Sequence, residues 1–320
     1  MKLIYNCPIC DSQKLKRLKQ CTFRIPNLKS EESHHQLGLN ELGKNKNKID
    51  FYINSCQKCG FIFLNPRFSE EDYKVIFKTK EANDSVDGDV AFYFPRAMRG
   101  YNLISKYFKF NLNYKPKVLD YGGAWGYLLI PFLKKFECFL IDYNNYTLPK
   151  GIRYLGRNSD NLDKNLRFDV IFSIRVFEHI NDPKKVIKDL AVNLDKNGII
   201  YIQVPLGCLN EWKSLDTPFR HINFFSEQSL YNLFRLSGLN IIHLKTVYHI
   251  SKNAPGWKLD IIASKTIEKE NQKQIKFIST DQQRKRLFYY MPLLFRKKNF
   301  NITNIKNKLR NFLRKLNVKI

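Results

Sequence analysis

From Lys117 to Lys265 the apolar residues fall in short blocks separated by polar, Gly-rich or helix-patterned stretches. The blocks 117-KVLDYG-122, 138-CFLIDY-143, 152-IRYLG-156, 168-FDVIFSI-174 and 198-GIIYIQVP-205 have the length and near-continuous apolar character of strands. Helical spacing occupies the intervals near 126–135, at 182-DPKKVIKDLAVNL-194 and at 226-SEQSLYNLFRLSG-238, where Ser226 supplies an N-cap and Gly238 a C-terminal stop. Strands alternating with helices predict a doubly wound α/β sheet, mostly parallel and covered on both faces. The last two blocks, 240-NIIHLKTVYHI-250 and 258-KLDIIASK-265, are joined by a Pro-Gly turn with no helix between them, which predicts an antiparallel pair. Upstream, 96-RAMRGYNLISKYFKF-110 has helical spacing within a connector at 67–115.

The first strand runs into 118-VLDYGGAWGYLL-129. Gly122, Gly123 and Gly126 permit a tight backbone and close approach of a ligand. In a doubly wound sheet, ligands bind beyond the carboxyl ends of the strands, where this turn lies. The spacing Asp120-x-Gly122-x-Ala124-x-Gly126 differs from the GxGxxG of dinucleotide folds. A second acid, Asp142, ends the next strand 22 residues after Asp120, where a carboxylate can hold ribose hydroxyls. Together these features predict a nucleoside-type site; the alternative is a tight turn with an unrelated surface acid.

Four of the seven cysteines form two pairs, 7-CPIC-10 and 56-CQKCG-60. Cys7, Cys10, Cys56 and Cys59 would complete a tetrahedral thiolate site for zinc, with no position open for catalysis. Redox pairs or unligated thiols are the alternatives. The pairs bracket a polar insert containing 40-NELGKNKNKID-50, and His34 and His35 within that insert read as solvated rather than ligating. The chain therefore divides into a zinc-binding module (1–66), a helical connector (67–115), a nucleoside-binding domain (116–265) and a basic, helical tail (266–320).

VLDYGGAWG resembles the first motif of class I S-adenosylmethionine (SAM)-dependent methyltransferases. The stretch 168-FDVIFSIRVFEHINDPKKVIKDLAVNLDKNGIIYIQVP-205 resembles their middle section, and 221-HINFFSEQSLYNLFRLSGLNII-242 a later one. The resemblance implies a Rossmann-like, seven-stranded sheet with an antiparallel pair at one edge. It also implies that Asp120, Gly122, Gly123, Ala124 and Gly126 line the SAM turn, that Asp142 holds the ribose, that Asp160 or Asn161 approaches the adenine, and that Ser173 belongs to the cofactor site. Ala124 stands where the family's middle glycine is usual. A cysteine module leading through 59-CGFIFLNPRFSEEDY-73 into such a domain resembles methyltransferases of sugar and surface-glycan biosynthesis. Deoxysugar C-methyltransferases of that kind carry a further C-terminal domain, whereas 55 residues follow Lys265 here, so O-methylation of a glycan or lipid-linked sugar stands beside C-methylation of a nucleotide-linked sugar.

Methyl transfer to a hydroxyl needs an aligned acceptor and a base for its proton. His179, just after the fourth strand, is the first candidate base and His221 the second, with Glu178 beside His179; bracing of the sheet edge is the alternative role. Net charge is +26, from 55 Lys+Arg against 29 Asp+Glu, which invites an RNA-methylating reading. Against it, the fourth strand ends in Ser-Ile-Arg-Val-Phe rather than Asn/Asp-Pro-Pro-aromatic, no cysteine follows it as a nucleophile, and no aromatic-interleaved platform accompanies the charge. A SAM-binding protein without turnover is a third reading. Beyond Asp281 there is no acid and there are twelve Lys or Arg residues. There, 309-LRNFLRKL-316 sets Leu309, Phe312, Leu313 and Leu316 on one helical face, suited to peripheral contact with an anionic membrane or to docking on the domain. The N-terminus lacks a signal peptide's apolar region and no block reaches membrane-spanning length, so the expected location is cytoplasmic, with the inner membrane face as the site of any peripheral contact.

Overall fold

The computed structural model describes residues 1–24, 40, 42–43, 47–69, 71–72, 75, 90–109, 114–143, 145–207, 221–249 and 256–266. His34, His35 and the expected tail helix lie outside the described residues. In chain order the elements are β1 (Leu15–Arg24), β2 (Lys48–Cys56), β3 (Ile62–Asn65), α1 (Val90–Tyr107), β4 (Lys117–Tyr121), β5 (Glu137–Ile141), β6 (Ile152–Gly156), β7 (Phe168–Ile174), α2 (Pro183–Asn193), β8 (Leu194–Pro205), β9 (Asn223–Phe224), α3 (Glu227–Arg235), β10 (Asn240–His249) and β11 (Gly256–Ser264).

Seven strands form the central sheet in the order β10-β11-β8-β7-β4-β5-β6. β4 to β8 pair in parallel, while β11 is antiparallel to both β8 and β10, as the helix-free connection requires. Side chains alternate between two cores. Leu119, Phe139, Ile171, Ile200 and Ile202 join Ile187 and Leu190 of α2, Leu230 and Leu233 of α3, and Cys7, Ile9, Phe61 and Phe63 of the N-terminal module. Val118, Leu140, Val170, Phe172 and Tyr201 join Ala97 and Ile104 of α1, and Phe108 just beyond it, on the other face.

The cysteine module is built into this frame. β1, β2 and β3 form an antiparallel sheet whose fourth strand is β9, taken from residues 223–224. Leu64 N–H also donates to the Ile222 carbonyl at 2.9 Å. Phe61 packs on Phe63 and Phe225, with ring centroids 5.6 and 5.2 Å away. The module therefore grips the chain just after His221.

One local expectation is corrected. The segment near 126–135 forms a 3₁₀ turn at Tyr127–Phe132 in place of an α-helix. Pro131 lies inside it; proline has no N–H for the helical ladder and disfavours helical backbone at the residue before it. The α2 and α3 caps match expectation: Asp182 accepts from Lys185 N–H, Ser226 accepts from Ser229 N–H, and Gly238 has φ 81°. Among the described residues no helix is long and apolar enough to cross a membrane.

Candidate functional site

The turn after β4 is held by the end of β5. Gly122 N–H donates to the Ile141 carbonyl at 2.7 Å, and Ala124 N–H donates to Asp142 Oδ2 at 2.8 Å. Gly122 and Gly126 adopt φ of 79° and 72°. A Cβ on Gly122 would lie 2.6 Å from Val176 Cγ2, and one on Gly123 would lie 2.5 Å from Asp120 Oδ2. The glycines thus serve both backbone handedness and close approach. Ala124 is also left-handed, at φ 46°, so it carries the strain that a glycine would avoid.

Asp120 is 1% exposed, and neither carboxylate oxygen has a hydrogen-bond partner among the described residues. Burial, reinforced by the charge of Asp142, pushes its pKa well above the ordinary carboxylate range. Asp142 is tied down on all sides: besides Ala124, its own N–H donates to the Gly156 carbonyl and its carbonyl accepts from Tyr154 Oη. Beside the turn, the Trp125 ring lies 4.7 Å from Tyr146, 6.2 Å from Tyr93 and 6.4 Å from Tyr127, making one aromatic group.

The second cluster follows β7. Arg175, at φ 64°, donates its N–H to the Gln203 carbonyl. The next residues turn tightly, with His179 N–H donating to the Val176 carbonyl at 2.8 Å. The Glu178 carbonyl accepts from Ile222 N–H and Asn223 N–H, while Asn223 Nδ2 donates to the Phe177 and Ile180 carbonyls at 2.8 and 2.6 Å. These bonds bring together residues 42 positions apart: the His179 and His221 ring centroids are 5.0 Å apart, edge to face. The Glu178 carboxylate lies beneath, 1% exposed, with Oε1 3.7 Å from Arg175 Nε and 4.0 Å from His179 Nε2. Its pKa is raised by burial, against the pull of His221, Arg175 and Lys258. His179 keeps 32% of its side chain exposed, so its ring is open to solvent.

Residues 91–244 match a family described as a methyltransferase domain. The chain carries a class I SAM-dependent methyltransferase domain. The fold agrees with that of 1,6-didemethyltoxoflavin-N1-methyltransferase from Burkholderia thailandensis, solved with 1,6-didemethyltoxoflavin and S-adenosylhomocysteine. The TM-score is 0.50 at 17% identity, over 66% of this chain and 97% of that one. Curated tRNA U34 carboxymethyltransferases from Campylobacter jejuni are 49% identical over 37 residues, 12% of this chain. That match spans 13% of those relatives' own length.

In the methyltransferase domain, the Gly122–Gly126 turn and the buried, unpartnered Asp120 fit SAM: glycine lets the turn pack against Val176, Leu140 and Ile152, and a cationic or N–H group could satisfy the carboxylate. Other expected cofactor residues are otherwise engaged. Ser173 is fully buried and donates to the Tyr121 carbonyl at 2.8 Å, fastening β7 to the end of β4 rather than facing the cleft. Asp160 is ion-paired to Lys185 at 2.5 Å, and Asn161 Oδ1 accepts from the Arg157 and Asn158 N–H groups of its own turn. Sequence reasoning missed Asn223 and Arg175. Asn223 was visible only as a polar residue inside the apolar stretch HINFF, and a strained arginine leaves no sequence signal.

The four cysteine sulfurs lie within 4.8 Å of one another, with Cys7–Cys59 and Cys10–Cys56 both at 3.6 Å. Tetrahedral Zn–S bonds of about 2.3 Å require sulfurs roughly 3.8 Å apart, so the set fits zinc. The knuckles share one backbone device. The residue after each second cysteine is left-handed, Asp11 at φ 57° and Gly60 at φ 71°. Glu178, His179 and His221 also place ligand atoms within 4.8 Å of one another, but the Arg175 guanidinium beside the carboxylate opposes a cation there.

Proposed function

We propose that the chain transfers the methyl group of SAM to a sugar or surface-glycan precursor, nucleotide-linked or lipid-linked, with structural Zn²⁺ in the cysteine module. The observation that carries this reading is the half-exposed His179 ring against the buried Glu178 carboxylate at the carboxyl edge of the sheet, a base placed for a hydroxyl acceptor. The cysteine module ahead of the domain, shared with glycan-modifying relatives by resemblance, supports the same acceptor class.

When bound, SAM supplies an electrophilic methyl group. Asp120, Gly122, Gly123, Ala124 and Gly126 would cradle its methionine end, Asp142 its ribose. His179 takes the acceptor hydroxyl's proton on a ring nitrogen, and the charge of Glu178 favours the resulting imidazolium. His221, packed on His179, orients that ring or shares the proton. Carbon methylation would use the same base on a C–H acceptor.

RNA methylation is the second reading. The net charge of +26 and the 37-residue likeness to tRNA U34 carboxymethyltransferases favour it. Offering labelled SAM with nucleotide sugars, lipid-linked glycans and total RNA separates the readings: label is expected in a sugar fraction, and label confined to RNA would overturn the proposal.

A further inference from the structure

A cleft of about 840 Å³ lies between the cysteine module and α2, bounded by residues 2–8, by residues 67–69 after β3 and by residues 181–189. That volume is within the range of small-molecule sites, about 300–1,000 Å³. Its N-terminal wall is fixed in place. Lys2 and Arg67 exchange two backbone hydrogen bonds, at 2.7 and 2.8 Å. Ile4 N–H donates to Asn65 Oδ1 at 3.0 Å, and Asn65 Nδ2 donates to the Ile4 carbonyl at 2.9 Å. The N-terminal ammonium pairs with Asp72 at 2.5 Å. This clamp turns Ile4 toward the core and leaves Leu3 and Tyr5 outside it, 48% and 75% exposed. A rigid wall that presents a bare tyrosine ring has little ordering left to lose when a ligand covers it.

The cleft is basic. Lys2, Lys184, Lys185 and Lys188 line it together with Asp11, Asp182 and Asp189. Some of these groups are occupied: Lys185 is held by Asp160 and Asp189, and Asp182 caps α2. Lys184 pairs with Asp11, but that carboxylate is 67% exposed, and an ion pair so open to water contributes little and yields to a stronger anion. Lys2 and Lys188 make no ion pair among the described residues. Lys184 and Lys188 are one helical turn apart and share a face. Lys184 also stands in the first turn of α2, where the helix dipole adds to its positive field. Arg67 is 3% exposed, with its guanidinium 5.4 Å from the Phe63 ring centroid, so its charge acts on the cleft through the floor. Asn181, which also lines the cleft, lies two residues after His179, and its Nδ2 donates to the Phe68 carbonyl at 2.5 Å. The cleft wall is thereby tied to the turn that carries the candidate base.

We propose that this cleft receives a nucleoside diphosphate, the carrier half of the acceptor, with Lys2, Lys184 and Lys188 on the diphosphate and Tyr5 stacked on the base. The proposal rests on the sugar-acceptor reading above and narrows it to nucleotide-linked sugars. Ammonium groups serve phosphate as point charges, without a fixed fork geometry, and an aromatic face accepts any base. Asn181 joins the cleft to the His179 turn, so a carrier seated here leaves its sugar beside that turn. A polyprenyl carrier would call for a long apolar channel, whereas this cleft sets Leu3, Tyr5 and Pro8 among basic and amide side chains. One exposed ring with three lysines suits a single nucleotide better than the extended backbone of RNA, which is served by successive stacking platforms.

The test is calorimetry on the full chain with uridine, deoxythymidine and guanosine diphosphates. At least one is expected to bind, and to bind more tightly than inorganic pyrophosphate. Lys188→Gln and Tyr5→Ala, both at exposed positions, should each weaken it about tenfold. Lys196→Gln, exposed at the start of β8 on the opposite edge of the sheet, should leave it unchanged. SAM affinity should be the same in all four proteins. With the matching nucleotide sugar as acceptor, the two cleft variants should raise KM and keep kcat. The cleft assignment is overturned if a wild-type chain that binds SAM binds none of the three diphosphates, or if Lys188→Gln and Tyr5→Ala bind as the wild type does. Tighter binding of farnesyl diphosphate, or of a short RNA, would overturn it as well. Because binding is read without turnover, a chain that binds a nucleoside diphosphate in the cleft yet methylates no sugar sinks the acceptor reading and leaves the site standing.

Discussion

Ala124 stands in left-handed backbone, where glycine costs nothing and an L-residue about 1–2 kcal/mol. Ala124→Gly is therefore expected to stabilise the fold by about 1 kcal/mol, read as a higher melting temperature, without weakening SAM binding. The same turn predicts a pH effect. Burial raises the folded-state pKa of Asp120 above its unfolded value of about 4. The native state then binds the proton more tightly than the unfolded chain, so this contribution to stability is complete below pH ~4 and is lost as pH rises toward the raised value. Relative to wild type, Asp120→Asn should gain melting temperature between pH 4 and pH 8; a difference that stays flat contradicts the assignment. Sequence alone marked Asp120, the glycines, His179 and His221, because acids, glycines and histidines at strand ends are rare enough to stand out. It could not tell that Ser173, Asp160 and Asn161 spend their polar atoms on their own backbone and neighbours, since such bonds depend on side-chain direction.

At the scale of elements, β9 decides the position of His221. Its residue Asn223 holds the turn that carries His179, and β9 also pairs with β3 of the cysteine module. Removing the amide takes the Asn223 donor from the half-buried Ile180 carbonyl and leaves the Phe177 carbonyl with the longer 3.4 Å bond from Ile180 N–H, a loss of about 1–3 kcal/mol. Asn223→Ala is thus expected to lower both stability and methyl transfer. Cys56→Ser, or chelation, should release one zinc per chain by metal analysis. Transfer should fall with it, because β3 of the module pairs with β9; full activity in the metal-free chain would separate module from site. The central strands were legible because burial on both faces makes unbroken apolar runs. β1 was not, because its mostly exposed face carries a Lys- and Arg-rich pattern that hides the alternation, and β9 is two residues long. The turn at Tyr127–Phe132 was misread because apolar spacing outweighed Pro131.

For the whole molecule, the net charge of +26 seemed at first to speak for nucleic acid or for composition alone. Part of it is organised: Arg175 lies 3.7 Å from the buried Glu178 carboxylate, on which Lys258 also acts, beside the partly exposed His179. Cofactor cradle, base and cationic edge share one end of the sheet because parallel strands all finish there, with β11 supplying Lys258 by starting where the others stop. The measurement that tests this account most directly is single-turnover transfer of labelled methyl from SAM to nucleotide sugars and lipid-linked glycans, in the wild type and in His179→Ala. The account predicts label in a sugar acceptor, slowed about 10²–10⁴-fold by His179→Ala with SAM affinity unchanged. Equal rates in the two proteins, or label that enters RNA alone, would contradict it.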